Sequence, residues 1–377
     1  MTGATIEFYK EYYALPEIKY EESVSFEFFK RVKERHDFIV LVIFNENKEI
    51  LLIRDLNKNI GWELPGGYVK STETIEDAVN RITLQETGLE VDEVYPISFV
   101  KNIFKFEDHE VTHTGVAFVA MSRGAIHNNL ENVQHVYTSD VPEKMAYQNI
   151  QVLKFAKQKV NGGHFFMPPY DEIESAKKHY VFYFIHEHLI KKISSFASRR
   201  ILNQLLKLTL GHPNSILDAS CGDCKLIFQL HKVFKPAISV ANDVSWKTIS
   251  LIKSYSKSII FTNHNILNFP FKNKFDLIIF RNTLHHIQDD QQIPLLRLLT
   301  SKSKQLVIID IDDPIHGNFL ARLWNRYYRF VLGDQGDDFL TFAKFKNILK
   351  SVVKDKKCRL GKIHTMKGQY FYASISD

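Results

Sequence analysis

Apolar positions along the chain follow two rhythms, and the change comes near the middle. From Asp37 the pattern is that of strands. Phe38–Phe44 reads FIVLVIF, a turn follows at Glu46-Asn47-Lys48, and Glu49–Asp55 reads EILLIRD, which predicts a hairpin. The turn-rich loop Gly61–Tyr68 (GWELPGGY) leads into a helical pattern over Thr72–Thr87, with Ser71 or Thr72 as N-cap and Gly88 ending it. Two further strands are predicted near 95–104 and 112–121, joined by a polar loop at 106–112, and then a closing helix over 148–160. Residues 1–35 mix aromatics with Glu and Lys and are read as a helix and a strand laid on this first domain.

Asn161-Gly162-Gly163 with Pro168-Pro169 has the composition of a linker. A helical pattern covers about 171–210, with a break near Ser194-Ser195. The apolar runs SILDA, ISVAND, IIFTN, FDLIIF and QLVIID then alternate with helical stretches. That alternation predicts a doubly wound parallel sheet with helices on both faces. Runs at 359–365 and 370–376 are read as a final antiparallel hairpin. The expected organisation is a first domain at 1–160, a helical linker or cap at 161–210, and a second domain at 211–377.

Apolar content of 45% and charged content of 24% are those of an ordinary soluble globular protein. The N-terminus has no leader pattern and no apolar run reaches membrane-spanning length. Three cysteines make no disulfide framework. These features point to a cytoplasmic protein in a reducing compartment, with no membrane partner. Charge is divided unevenly. Residues 1–160 hold 18 Lys and Arg against 25 Asp and Glu, whereas residues 161–377 hold 31 against 18. The second part is therefore suited to an anionic ligand, although a lysine-rich surface that serves only solubility has the same balance.

Residues 67–89 carry the first constellation: Gly67, five residues, Glu73, seven residues, Arg81, then Glu86 and Gly88. With the preceding GWELPGG, this frame resembles the Nudix family over about 37–160. The resemblance implies an α/β/α sandwich with a mixed sheet, and a loop–helix–loop that holds divalent metal against a nucleoside diphosphate. Gly67 would offer a carbonyl, and Gln85 and Glu86 stand where metal ligands are expected, for Mg²⁺ or Mn²⁺. The family expects acids where this chain has Ile82 and Gln85, so two carboxylates are missing and the metal site is weakened. Glu73 and Arg81 would brace the loop. A late-loop acid, Glu107, Asp108 or Glu110, is available as a replacement ligand. Binding of a nucleotide, a structural role, nucleotide sensing and residual hydrolysis are the functions open to this domain.

The second constellation begins at Ser215–Cys224 (SILDASCGDC), an apolar strand ending in an acid and a small-residue turn. Asp243 and Val244 follow the next strand, Asn265-Ile266 the third, and Arg281-Asn282-Thr283-Leu284-His285-His286-Ile287 the fourth. This order resembles the class I S-adenosylmethionine-dependent methyltransferases, whose sheet is doubly wound and Rossmann-like. The resemblance implies that Asp218, Ser220 and Gly222 shape the cofactor turn. Asp243 and Val244 would hold the ribose, Asn265 and Ile266 the adenine, and Arg281 would lie at the same edge. Of the family's glycine-rich pattern, Ser220, Gly222 and Cys224 keep only the central glycine.

Cys221 and Cys224 have redox or metal spacing, but no second pair exists, so they are read as small packing residues. His285 or His286 is a candidate base beside the methyl acceptor, the alternative being that one of them caps or bridges loops; Asp312 and Asp313 either position the acceptor or cap the following turn. Arg322, Arg326 and Arg329 share a helical stripe with aromatics and form either an anion-binding wall or a solvated helix face. No Asn-Pro-Pro-Tyr or Pro-Cys segment is present, which counts against DNA base methylation. The expected partners are a small, anionic or nucleotide-linked methyl acceptor and a nucleotide in the first domain, with nucleic acid a minor option.

Overall fold

The computed structural model describes residues 6–34, 37–57, 61–71, 73–123, 126, 132–146, 148–162, 191–244, 258–313, 319, 322–323, 326, 339–365 and 368–377. Thr72, Gly163, Pro168-Pro169, the helical pattern before Lys191, Ser245 and Arg329 lie outside this set. The chain divides into two compact units, Met1–Met167 with Phe261–Lys272, and Pro168–Ile260 with Asn273–Asp377.

In chain order the first unit contains α1 (Ile6–Tyr12), β1 (Glu17–Ser23), α2 (Phe26–Val32), β2 (Asp37–Phe44), β3 (Ile50–Asp55) and β4 (Gly66–Tyr68). It continues with α3 (Ile75–Thr87), β5 (Glu90–Phe106), β6 (His109–Arg123), β7 (Val133–Thr138) and α4 (Asn149–Gly162). The strand order is β1-β5-β6-β2-β3-β7, with β4 paired to β2. The β1–β5 and β2–β6 pairs are parallel and the others antiparallel, so the sheet is mixed as expected. Every residue from Phe38 to Phe44 is buried, which requires cover on both faces of β2. Phe38, Val40, Val42 and Phe44 share a core with Val152, Leu153, Ala156 and Val160 of α4. Ile39, Leu41 and Ile43 point to the opposite face.

Two local expectations are corrected. Helix α3 starts at Thr74 rather than at Ser71 or Thr72. The Thr74 hydroxyl accepts from the Asp77 N–H at 3.1 Å and the Asp77 carboxylate accepts from the Thr74 N–H at 3.4 Å. This reciprocal cap satisfies two donors at once and outcompetes the earlier hydroxyls. The predicted loop at 106–112 is instead a tight turn at Glu107-Asp108, because β5 and β6 pair as far as Phe106↔His109. Polar side chains on the solvated face hide a backbone ladder that continues past the apolar run.

Within the first unit, the segment Phe261–Lys272 is knitted to residues far earlier in the chain. The Tyr13 hydroxyl meets His264 Nε2 at 2.7 Å, His264 Nδ1 meets the Val94 carbonyl at 2.7 Å, and the Val94 N–H donates to Asn263 Oδ1 at 3.1 Å. The Tyr95 hydroxyl donates to the Asn268 carbonyl, and the Lys272 N–H donates to the Tyr12 carbonyl. Burial, opposed by the Val94 and Asn263 backbone hydrogen bonds, lowers the His264 pKa to about 4.

In the second part of the chain, α5 (Lys191–Leu208) precedes β8 (Ser215–Asp218), α6 (Lys225–Phe234), β9 (Ile238–Asn242) and β10 (Ile260–Thr262). Then come β11 (Phe275–Arg281), α7 (Asp289–Ser301), β12 (Ser303–Ile311), α8 (Phe342–Val353), β13 (Lys357–Thr365) and β14 (Gly368–Ser376). Helix α5 runs unbroken through Ser194-Ser195, so no break occurs there. The sheet order is β10-β9-β8-β11-β12-β14-β13. Strands β9, β8, β11 and β12 are parallel neighbours, and β14 is antiparallel to both β12 and β13. The winding reverses between β8 and β11, the crevice where ligands bind in open α/β sheets. Among the described residues, no helix is long and apolar enough to cross a membrane.

Candidate functional site

Strand register brings the second constellation to one edge. Asp218 pairs with Ala241 of β9 and with Ile279 of β11, and Arg281 pairs with Ile309 of β12. Asp218, Asp243, Arg281 and Asp310 therefore mark the C-terminal ends of four adjacent parallel strands. The turn after Asp218 is held from β9. The Cys221 N–H donates to the Asn242 carbonyl at 2.8 Å, Asn242 Nδ2 donates to the Ala219 carbonyl at 3.1 Å, and the Gly222 N–H donates to Asp243 Oδ2 at 2.8 Å. Gly222 has φ +50° and a Cβ there would meet nothing within 4 Å, so this turn borders open space. The Ser220 hydroxyl donates to the Arg281 carbonyl at 3.3 Å and fastens the turn to β11. Val244 is half-buried beside Asp243.

Asp218 is fully buried. Among the described residues neither carboxylate oxygen meets a well-formed hydrogen bond, although the Ser220 N–H lies close enough to favour the charged form. Burial, reinforced by Asp243 and opposed by Arg281, pushes its pKa up to about 7. Among the described residues, the buried Arg281 Nε also has no hydrogen-bond partner.

Past Arg281 the chain turns through Leu284–His286. His285 Nδ1 lies 2.6 Å from Asp310 Oδ1, and both residues are buried. Asp310 Oδ2 accepts from the Leu284 N–H at 2.6 Å and the Thr283 N–H at 3.1 Å. Burial raises the Asp310 pKa, but the His285 charge, its hydrogen bond and the backbone amides outweigh it and hold the carboxyl below its usual range. The Phe339 ring stacks on His285 at 4.9 Å and 11°, and the His286 ring lies 4.2 Å away.

Asp312 takes a capping place. Its Oδ1 accepts from the Phe342 N–H at 3.0 Å at the start of α8, and its Oδ2 pairs with Lys362 at 3.0 Å. The acid that meets the histidine is Asp310. Its signal was present in the sequence, because an acid closes the apolar strand QLVIID and a buried carboxylate needs a partner. Asn265 Oδ1 accepts from the Leu267 N–H at 3.0 Å, and Asn265 and Ile266 are buried in the segment grouped with the first unit. Arg322 and Arg326 are exposed.

In the first unit, Arg81 clamps Glu73 from Nε at 2.8 Å and Nη2 at 2.5 Å, and also donates to the Tyr68 carbonyl at 3.0 Å. Burial raises the Glu73 pKa, but Arg81 and the Lys70 N–H outweigh it and leave the carboxyl low. Gly66 must be glycine, since a Cβ would sit 2.7 Å from the Ile39 carbonyl oxygen. Its N–H donates to Glu86 Oε2 at 3.1 Å. Gln85 is exposed and accepts from Arg81 Nη1 at 3.3 Å. Ile82 is buried beneath Gly67, 3.3 Å from where a Cβ there would stand.

A family model described as NUDIX domain matches residues 33–154. A second, described as Methyltransferase domain, matches residues 216–313. The chain joins a NUDIX domain to a methyltransferase domain. The latter makes it an S-adenosylmethionine-dependent methyltransferase. No curated protein matches the chain. Among solved structures, the plantazolicin methyltransferase BpumL, in complex with a pentazolic desmethylPZN analog and SAH, is 17% identical. That likeness covers 55% of this chain and 98% of BpumL, with a TM-score of 0.40. The N-methyltransferase NodS from Bradyrhizobium japonicum WM9 is 18% identical, covering 47% of this chain and 94% of NodS at a TM-score of 0.35. The methyltransferase domain of bacterial-CtHen1-CN is 13% identical over 48% of this chain and 98% of that domain, at a TM-score of 0.38.

The methyltransferase domain fits its cofactor. S-adenosylmethionine carries an amino-acid end, and Asp218 and Arg281 hold a buried acid and a buried guanidinium nitrogen whose hydrogen-bonding capacity is unmet. The NUDIX domain does not fit a metal. Gln85 bonds Arg81, Ile82 is core, and Glu86 is tied to Gly66. Gly67 contributes at most a neutral carbonyl. Among the described residues, no three His, Cys, Asp or Glu side chains are grouped to hold an ion. The late-loop rescue also fails. Val40 pairs with both Gly66 and Ala117, and Glu110 is seven residues from Ala117 along β6. At strand rise that is roughly 23 Å, and Glu107 and Asp108 lie beyond it.

Proposed function

We propose that the methyltransferase domain transfers a methyl group to a hydroxyl or amine of a small, anionic or nucleotide-linked biosynthetic intermediate. The NUDIX domain binds a nucleotide or diphosphate, or supports structure, without hydrolysing it. The observation that carries the chemistry is the 2.6 Å contact between His285 and Asp310 at the strand edge.

When bound, S-adenosylmethionine supplies an electrophilic methyl group on its sulfonium. Asp218 and Arg281 would hold the cofactor's ammonium and carboxylate, and Asp243 its ribose. Asp310 keeps the proton of His285 on Nδ1 and fixes the ring plane, which leaves Nε2 as the atom that takes the acceptor's proton. Phe339 covers the imidazole and excludes water from that face. The excess of Lys and Arg in residues 161–377 favours an anionic acceptor.

Calorimetry with S-adenosylmethionine tests the cofactor site, and absence of binding overturns the reading. Incubation of cell extract with the enzyme and labelled S-adenosylmethionine should yield one newly labelled small metabolite. A nucleotide panel with Mg²⁺ or Mn²⁺ should release neither phosphate nor nucleoside monophosphate. Release that Glu86→Gln abolishes would show an active NUDIX site instead.

A further inference from the structure

The turn between Asp218 and α6 contains a feature that cofactor binding does not explain. Cys221 Sγ and Cys224 Sγ are 2.6 Å apart and both residues are completely buried. The thiols converge on one acceptor, the Gly222 carbonyl, at 3.8 Å and 3.5 Å. Cys224 takes a left-handed backbone, φ +49°, at the N-cap of α6, where its side chain makes no capping bond. Glycine adopts that backbone without cost, and the methyltransferase pattern expects glycine there. A cysteine at this position is a strained choice that a bond to its neighbour would offset.

We infer that Cys221 and Cys224 are a reversible dithiol–disulfide pair, and that closing the bond holds the turn in the shape that receives S-adenosylmethionine. The inference deepens the proposed methyltransferase function and rests on it. The oxidant is a low-molecular-weight disulfide. One cysteine sulfur attacks it, forming a mixed disulfide and releasing one small thiol. The second cysteine then attacks the protein-side sulfur and releases the other. Two electrons pass from the cysteines to the reagent, and the two thiol protons end on the released thiols. The open side of Gly222 is the entry route. Burial pushes the Cys221 thiol up and keeps it protonated, so exchange is slow and proceeds when the turn opens. In the reduced protein the left-handed residue is no longer locked. At the usual cost of such a residue, the reduced form binds S-adenosylmethionine about fivefold or more weakly than the oxidised form.

The experiment equilibrates the full chain in glutathione buffers from reduced to oxidised, alkylates it, maps the peptides and measures S-adenosylmethionine affinity in each state. The expected result is a Cys221–Cys224 disulfide, alkylated Cys358, and tighter binding when oxidised. Cys221→Ser should lose both the disulfide and the redox dependence. Cys224→Gly, which suits the left-handed backbone, should fold and bind equally in both buffers. Alkylation of both cysteines in the most oxidising buffer overturns the inference. So does a disulfide that leaves affinity unchanged or weaker. Failure of both redox forms to bind S-adenosylmethionine would overturn the proposed function, while a missing disulfide in the peptide map would overturn the pair on its own.

Discussion

Replacing Asp218 with asparagine removes a buried charge while keeping the side chain's shape. Burial, reinforced by Asp243 and countered by Arg281, raises this carboxyl from 3.8 to about 7. The folded protein therefore holds a proton that the unfolded chain has released, across the window from about 4 to about 7. Stability is fullest at the acid end of that window, falls as pH rises through it, and levels off above about 7. At about 1.36 kcal/mol per pH unit, the ionised carboxylate costs at most about 4 kcal/mol at pH 8. Asp218→Asn should thus be more stable than the native protein at pH 8 by up to that amount, and should match it near pH 4. Urea titrations of the second unit from pH 5 to pH 8 read the difference, and subtraction cancels every other titrating group. In the proposed function the same carboxylate meets the cofactor's ammonium, which would favour the ionised form. Native affinity for S-adenosylmethionine should then rise about tenfold from pH 6 to pH 8, with proton release visible as a buffer-dependent heat. The variant should bind more weakly at pH 8 and without pH dependence. A stability difference that is equal at pH 5 and pH 8 would refute the reasoning.

Asp310→Asn keeps an acceptor for the Thr283 and Leu284 amides and should lower methyl transfer by about 10² or more and shift its pH profile, because its proposed part in the chemistry runs through His285; an unaltered profile removes the dyad from the mechanism. Gly66→Ala should destabilise the first unit by about 2 kcal/mol, since its methyl would lie 2.7 Å from the Ile39 oxygen, and thermal melts would show it. Thr74→Ala should cost about 1 kcal/mol by loss of the α3 cap, measured the same way. Little change in either melt would count against the packing described for that position.

Where function depends on local chemistry, the sequence was legible. The acid and small residues after SILDA, the second acid at Asp243 and the His285-His286 step all stand at one sheet edge because strand ends and turns are local events. The acids missing from the NUDIX box at Ile82 and Gln85 were likewise visible in the sequence. What stayed hidden was tertiary. Ile82 offers no ligand, but only the packing shows it filling the space under Gly67. Asp310 looked like a strand terminus, while Asp312 stood more openly past it. Nothing local in FTNHNILNFPFK announced that His264 and Asn263 would pair with Tyr13 and Val94.

That last pairing bears on where this chain can be cut. The first unit draws twelve residues, Phe261–Lys272, from within the methyltransferase half of the coding sequence. A cut after residue 160 or 167 would yield a NUDIX fragment in which Tyr13 and Val94 lose His264 and Asn263 from a dry interior. A NUDIX fragment that keeps those contacts has to carry the twelve residues as well, in trans or by grafting.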